Sequence, residues 1–226
     1  MRHVSDLRLY SYGIIAENKE RGTPYVEIVP MEILPSTEGK VTKDTEDYTV
    51  EGEDRFGTQY KVKCKLSKTI PAKWMPWGTN RKTVPDVRIG ERVSIWQFAD
   101  DVEEYYWECL GMDDHLRKLE TVIFAISGTK DEADTTLRKD NTYYMEFSSH
   151  DKHITLSTSA KNNEKFRYEV KIDTEDDKLH LKDDVGNIIL LDSANTLIKV
   201  KNKAGAKFEL NKKDIKSFAP GFAIHE

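Results

Sequence analysis

Cysteine is nearly absent: the two in 226 residues, Cys64 and Cys109, are too few for a disulfide framework and lack zinc-cluster spacing. Both read as buried thiols. No apolar run reaches the roughly 20 residues of a membrane helix, and the opening MRHVSDLRLYSYG has no apolar stretch fit for export. Neither a membrane span nor a signal peptide is expected. Basic charge is not in excess either, since 35 Lys and Arg face 40 Asp and Glu for a net −5. That is the wrong sign for a surface that grips phosphates throughout, so nucleic acid is not an expected partner.

Reactive constellations are missing as well. The chain has no G-x-S-x-G elbow, no glycine-rich phosphate loop and no cysteine with an evident histidine partner. Acid pairs recur at Asp100/Asp101, Asp113/Asp114, Asp176/Asp177 and Asp183/Asp184, but they fall at predicted turns, where water solvates them and nothing separates their pKa values. His150 and His153 flank one turn, and two ligands alone rarely hold zinc. No enzymatic activity and no cofactor are expected.

What is present changes texture along the chain. All four tryptophans (Trp74, Trp77, Trp96, Trp107) and six of the seven prolines lie before residue 128, and the remainder is rich in Lys, Asp, Asn and Thr. We read a domain boundary after LRKLETVIFAIS (116–127), with an arm over 1–24, a first domain over 25–127, a linker over 128–141 and a second domain over 142–226.

The first domain is written in strands at 27–34, 48–52, 59–66, 92–98 and 105–111. A small five-stranded barrel of this kind points to an OB-fold. Tyr60, Val62, Cys64 and Leu66 alternate with Lys61, Lys63 and Lys65, which predicts one face on a core and a lysine stripe in water. Trp74 and Trp77 lie in TIPAKWMPWGTNRKTVP (69–85), a loop long enough to contact a neighbouring subunit.

The second domain shows short strands at 145–150, 153–159, 166–172, 178–182, 187–192, 197–202 and 207–211, with no helix between them. Leu179, Leu181, Gly186, Ile189 and Leu191 recur nineteen residues on as Ile198, Val200, Gly205, Phe208 and Leu210, and Asp183 is answered by Asn202. Each strand offers only two or three inward apolar side chains, too few to close a core within one chain. Three intertwined chains, each supplying one face of a triangular prism, would share a core of Leu179, Leu181, Ile189, Leu191, Ile198, Val200, Phe208 and Leu210 and pair most strand edges between subunits. The fold class expected is all-β, an OB-fold barrel followed by an intertwined triple-stranded β-helix in a homotrimer.

GERVSIWQFADDVEEYYWECLG (90–111), HLRKLETVIFAIS (115–127) and KLHLKDDVGNIILLDS (178–193), in that order, resemble the central spike proteins of contractile phage tails. Those proteins are similar in plan to the valine-glycine repeat spikes of type VI secretion. The resemblance implies a virion protein at the centre of the tail baseplate, seated on a hub protein through its OB-folds; in such a trimer the loop with Trp74 and Trp77 would anchor one OB-fold on the next or on the hub. It also implies a needle that pierces the host outer membrane during tail contraction, with or without a separate tip protein at its end. Some members hold iron through a His-x-His near the C-terminus, whereas this chain ends FAPGFAIHE. Three copies of His225 on an axis would hold a metal, but a polar tail without one is the expectation. The inserted muramidase domain of some members is also missing, so the chain would puncture without digesting. The rival is a carbohydrate- or single-strand-binding OB module on a trimeric β-stalk, in which the 69–85 loop and the Lys61, Lys63 and Lys65 stripe would be exposed and adjacent.

Overall fold

The computed structural model describes residues 6–33, 45–53, 59–98, 104–111, 119–134 and 136–219, in which every regular element is a strand. The chain forms two compact units, one of residues 1–78 and 86–117, the other of residues 79–85 and 118–226.

The strands of the first unit are β1 (Leu7–Ile15), β2 (Tyr25–Pro30), β3 (Thr45–Glu53), β4 (Gln59–Ser67), β5 (Ile70–Trp74), β6 (Arg92–Phe98) and β7 (Tyr105–Cys109). Five of them close a barrel in the order β1-β2-β5-β7-β6, with β6 returning to β1. Every pairing is antiparallel except β5 with β7. Alternation drives closure: Ile15, Ile28, Val93, Ile95 and Trp107 point inward and are fully buried, at roughly 1.5–3 kcal/mol per large apolar side chain. The Trp107 indole donates to the Pro24 carbonyl at 3.0 Å, so its one polar atom is satisfied inside the core. Gly13 is required by proximity, because a Cβ there would lie 2.4 Å from Ile28 Cγ2 and 2.9 Å from the Val29 carbonyl oxygen.

Two expectations for this region fail. Leu7–Ile15 is a barrel strand and not part of an arm, its pattern obscured in the sequence by Arg8, Gly13 and a bulge between Leu9 and Ser11. The lysine-striped strand β4 is not in the barrel: it pairs only with β3, as a two-stranded ribbon. The barrel is already closed by five other strands and offers no free edge, while the hairpin register sets Glu51 against Lys61 and Asp47 against Lys65.

In the second unit β8 (Thr121–Ser127), β9 (Thr142–Ser148), β10 (His153–Ser157), β11 (Tyr168–Asp173), β12 (Lys178–Asp183), β13 (Ile188–Asp192), β14 (Leu197–Lys201), β15 (Lys207–Asn211) and β16 (Asp214–Phe218) form one antiparallel meander in chain order. The boundary expected after Ser127 therefore moves, since β8 pairs with β9. Residues 128–134 and 136–141 belong to the connection between these two strands and are hydrogen-bonded to one another. Gly128 N–H donates to Asn141 O at 2.7 Å, and the Asp134 carboxylate accepts from Arg138 at 2.8 Å and from Asn141 at 3.1 Å. Strands β9 to β15 have both edges occupied by chain neighbours, which corrects the expected pairing of edges between subunits. The outer edge of β8 is occupied by residues 79–85: Lys82 N–H donates to Ile123 O at 2.7 Å, Ala125 N–H to Asn80 O at 3.3 Å, and Arg81 forms an ion pair with Glu120. Much of the loop expected to reach a neighbouring molecule is thus a strap on the chain's own sheet.

Candidate functional surface

The sheet of the second unit has almost no core of its own. Of the twelve buried hydrophobic residues among those described, only Ala125 and Tyr144 belong to it. Its apolar side chains instead share one face. Cross-strand register aligns Val122, Phe147, Ile154, Ile172, Leu179, Leu191, Ile198, Leu210 and Ile215 in one column. Phe124, Met145, Leu156, Val170, Leu181, Ile189, Val200 and Phe208 make the second. All eight residues expected in a shared core lie in these columns, and all but the half-buried Leu210 are 38% to 48% exposed in the single chain. Sequence repetition missed the half of each column before Leu179, because those strands lie outside the nineteen-residue repeat; their alternation was the available signal.

Turn chemistry keeps both columns in register. Asp183 Oδ1 accepts from the N–H groups of Gly186 and Asn187, each at 2.8 Å, and at the equivalent turn Asn202 Oδ1 accepts from Ala206 N–H at 3.0 Å. On the opposite side Asp173 Oδ1 accepts from Asp176 N–H at 3.1 Å and Asp192 Oδ1 from Asn195 N–H at 3.0 Å. Backbone signs repeat too: φ is 107° at Gly186 and 94° at Gly205, and 54° at both Asp177 and Thr196. Loss of water pushes the Asp183 carboxyl up, but bonds from the Asn187 side chain and the turn N–H groups outweigh this and hold it below the ordinary value. The Asn195 side chain and N–H hold Asp192 down directly. These acids are occupied as turn acceptors.

The opposite face is polar and carries several charge pairs, while the Thr155 and Ser157 hydroxyls of β10 are buried on it without a hydrogen-bond partner. Glu209 accepts from Lys207 and Lys199, each at 3.1 Å, and these two bonds hold its carboxyl below the usual range. Glu169 meets Lys182 at 2.8 Å and His180 at 3.3 Å, and Glu146 meets His153 at 3.1 Å. His150 and His153 are not brought together: His150 Nδ1 lies 3.1 Å from Thr121 Oγ1, away from the Glu146 pair. No group of three His, Cys, Asp or Glu side chains able to hold a metal occurs among the described residues. Asp100, Asp101, Asp113, Asp114 and His225 lie outside the described residues, as do the side chains of Lys63 and Lys65. Lys61 pairs with Glu51.

On the barrel, Trp77 stacks on Trp96 with centroids 5.3 Å apart and an interplanar angle of 24°. Trp96 sits in the cross-strand row Leu9, Trp96, Tyr106, and Phe98 meets Tyr106 edge-on at 5.3 Å. Trp77 is 51% exposed, whereas Trp74 is half-buried in β5 beside Trp107 of β7. Of the two tryptophans expected at a contact, Trp77 alone presents a broad open face. No protein-family model matches the chain, and no curated protein matches it in sequence.

Proposed function

We propose that the chain is a homotrimeric spike of the contractile-tail class, with an OB-fold barrel for attachment to a baseplate hub and a β-prism needle that pierces an outer membrane mechanically. The observation that carries this reading is the pair of apolar columns running unbroken across β8 to β15. Covering the exposed half of each side chain contributes on the order of 1 kcal/mol, or about 15 kcal/mol per chain. That matches or exceeds the roughly 4–15 kcal/mol cost of association.

Strand length favours three copies. Strands β13, β14 and β15 have five residues each, about 17 Å at ~3.4 Å per residue. An equilateral prism of that side sets each sheet about 5 Å from its axis, half the ~10 Å spacing of packed sheets. A four-sided prism would leave each sheet about 8 Å from the axis, a void that two apolar columns do not fill. The OB-fold assignment rests on the barrel order, in which the third and fifth barrel strands (β5 and β7) form the only parallel pair. With the turn acids engaged by backbone N–H groups, function is assigned to shape and assembly, no catalytic step is invoked, and the site of action is the virion tail.

Light scattering coupled to size-exclusion chromatography tests the reading. Three times the 26.1 kDa of one chain is expected, and a folded monomer at micromolar concentration overturns it. A second reading, a saccharide-binding OB module on the same stalk, is favoured by the open face of Trp77 over Trp96. Tryptophan fluorescence titrated with oligosaccharides separates the two, since the spike reading expects no saturable quench.

A further inference from the structure

Charge is segregated along the chain in a way that neither the barrel nor the columns require. Residues 197–218 carry seven lysines and two acids, a local +5 in a chain whose total is −5. Both acids are of limited effect: Glu209 is already shared by Lys199 and Lys207, and Asp214 is alone. Lys201, Lys203, Lys212, Lys213 and Lys216 are exposed, and among the described residues none has a carboxylate within ion-pair distance.

Topology gathers these lysines at one end of the sheet. Lys201 and Lys207 face each other across β14 and β15, and Lys207 faces Phe218 of β16, with its ammonium 4.1 Å from the ring centroid. Phe218 is 45% exposed. This row lies on the polar face, so closing a prism over the apolar columns leaves it in water. Eight inter-strand steps separate β8 from β16, about 38 Å of sheet at ~4.8 Å per step. The Debye length is about 8 Å at physiological ionic strength, so the acidic excess elsewhere does not cancel the patch.

We infer that the β14–β16 end of the sheet binds a phosphate-bearing lipid surface. Two features favour lipid headgroups over nucleic acid. No arginine follows Arg167, so the planar fork that reads phosphates and bases bidentately is missing, whereas lysine serves as a point charge toward a headgroup layer. An exposed aromatic ring among the lysines adds the amphipathic anchor typical of interfacial binding. The inference deepens the spike reading and rests on it for its setting. The needle would dock electrostatically on the target membrane before force is applied, and three copies would multiply the contact.

Co-sedimentation of the full chain with phosphatidylcholine vesicles, with and without phosphatidylglycerol, tests it. Binding is expected only with the anionic lipid and should weaken steeply with added salt. The triple variant Lys201→Gln, Lys203→Gln, Lys216→Gln should lose about 100-fold in partitioning, about fivefold per lysine, whereas Lys130→Gln with Lys165→Gln should bind as the parent does. Equal binding to both vesicles, or no loss in the triple variant at an unchanged melting temperature, overturns the proposal. Displacement from vesicles by millimolar inorganic phosphate, or by a DNA duplex preferred over lipid, also overturns it, assigning the patch to free anions or to nucleic acid. Sedimentation velocity on the same samples keeps the readings separate: a monomer that still binds anionic vesicles sinks the trimer and preserves this inference.

Discussion

Ile189 stands opposite Val200 across β13 and β14, and each is nearly half exposed in the single chain, at 48% and 47%. Two β-branched side chains paired at a central position of a nine-stranded sheet would ordinarily be covered. In the proposed trimer, other copies of the chain would supply the missing half of their core.

Val200→Asp should therefore abolish assembly. The charge would be brought with its symmetry mates onto a dry axis, at several kcal/mol per ion even after relaxation. Lys199→Gln, one residue away on the other face, should change assembly stability by no more than about 1 kcal/mol. Size-exclusion chromatography of both variants reads the difference, and a trimeric Val200→Asp protein would show the wrong face to have been assigned.

Gly13→Ala should destabilise the barrel by about 1–3 kcal/mol, because the added methyl must displace Ile28, Ile95 and the Val29 carbonyl. Chemical denaturation followed by tryptophan fluorescence, with Trp107 as the buried reporter, gives the value. A neutral result would mean that β1 and β2 are less closely apposed than described.

Acid should loosen the second unit in a defined window. Asp134, held by Thr136, Asn141 and Arg138, is depressed below the ordinary 3.8, as are Asp192 below 3.8 and Glu209 below 4.5. A lowered folded value contributes stability that is fully present above the unfolded value and is lost as pH falls through the folded one. Melting temperature should thus be level from neutrality to about pH 5 and fall below about pH 4. Calorimetry across this range checks it, and Asp192→Asn should flatten the acid limb.

A fragment ending at Arg117, with residues 79–85 replaced by a short glycine-serine link, should fold as a monomeric barrel. A fragment ending at Lys139 retains β8 and the strap but lacks β9, so an apolar strand is left without its partner. The second fragment should aggregate where the first stays soluble, as static light scattering will read.

The strands of the second unit from β12 to β15 were legible because the nineteen-residue repeat carries apolar identity, turn acid and glycine together, and Leu179 through Leu210 fall where that repeat puts them. The two-unit organisation was only partly legible. Val122, Phe124 and Ile126 of β8 read as the end of the barrel because its true partner lies beyond the polar Asp134–Arg138 connection. Strand β16 was missed because DIKSF carries one aliphatic residue and charges at its first and third positions, leaving no alternation to detect. The strap over 79–85 left little local signal: Asn80 and Lys82 join the sheet through backbone atoms, which any residue supplies, and the Arg81 and Thr83 side chains add bonds to Glu120 and Ile123 N–H that no spacing in the sequence marks. The Trp77–Trp96 stack joins residues from a loop and a strand whose proximity follows from barrel closure alone.

The repeat has a metrical consequence. Nineteen residues contain two strands and two unlike turns, one built on Gly186 or Gly205 and the other on Asp177 or Thr196. Inserting or deleting a whole repeat would change the sheet by two strand spacings, about 10 Å, and return every later side chain to its own face. A one-residue insertion within a strand would turn Lys199 and Lys201 onto the apolar face and Ile198 and Val200 onto the polar one. The length of the sheet is thus quantised: only whole repeats can be added or removed without turning its faces over.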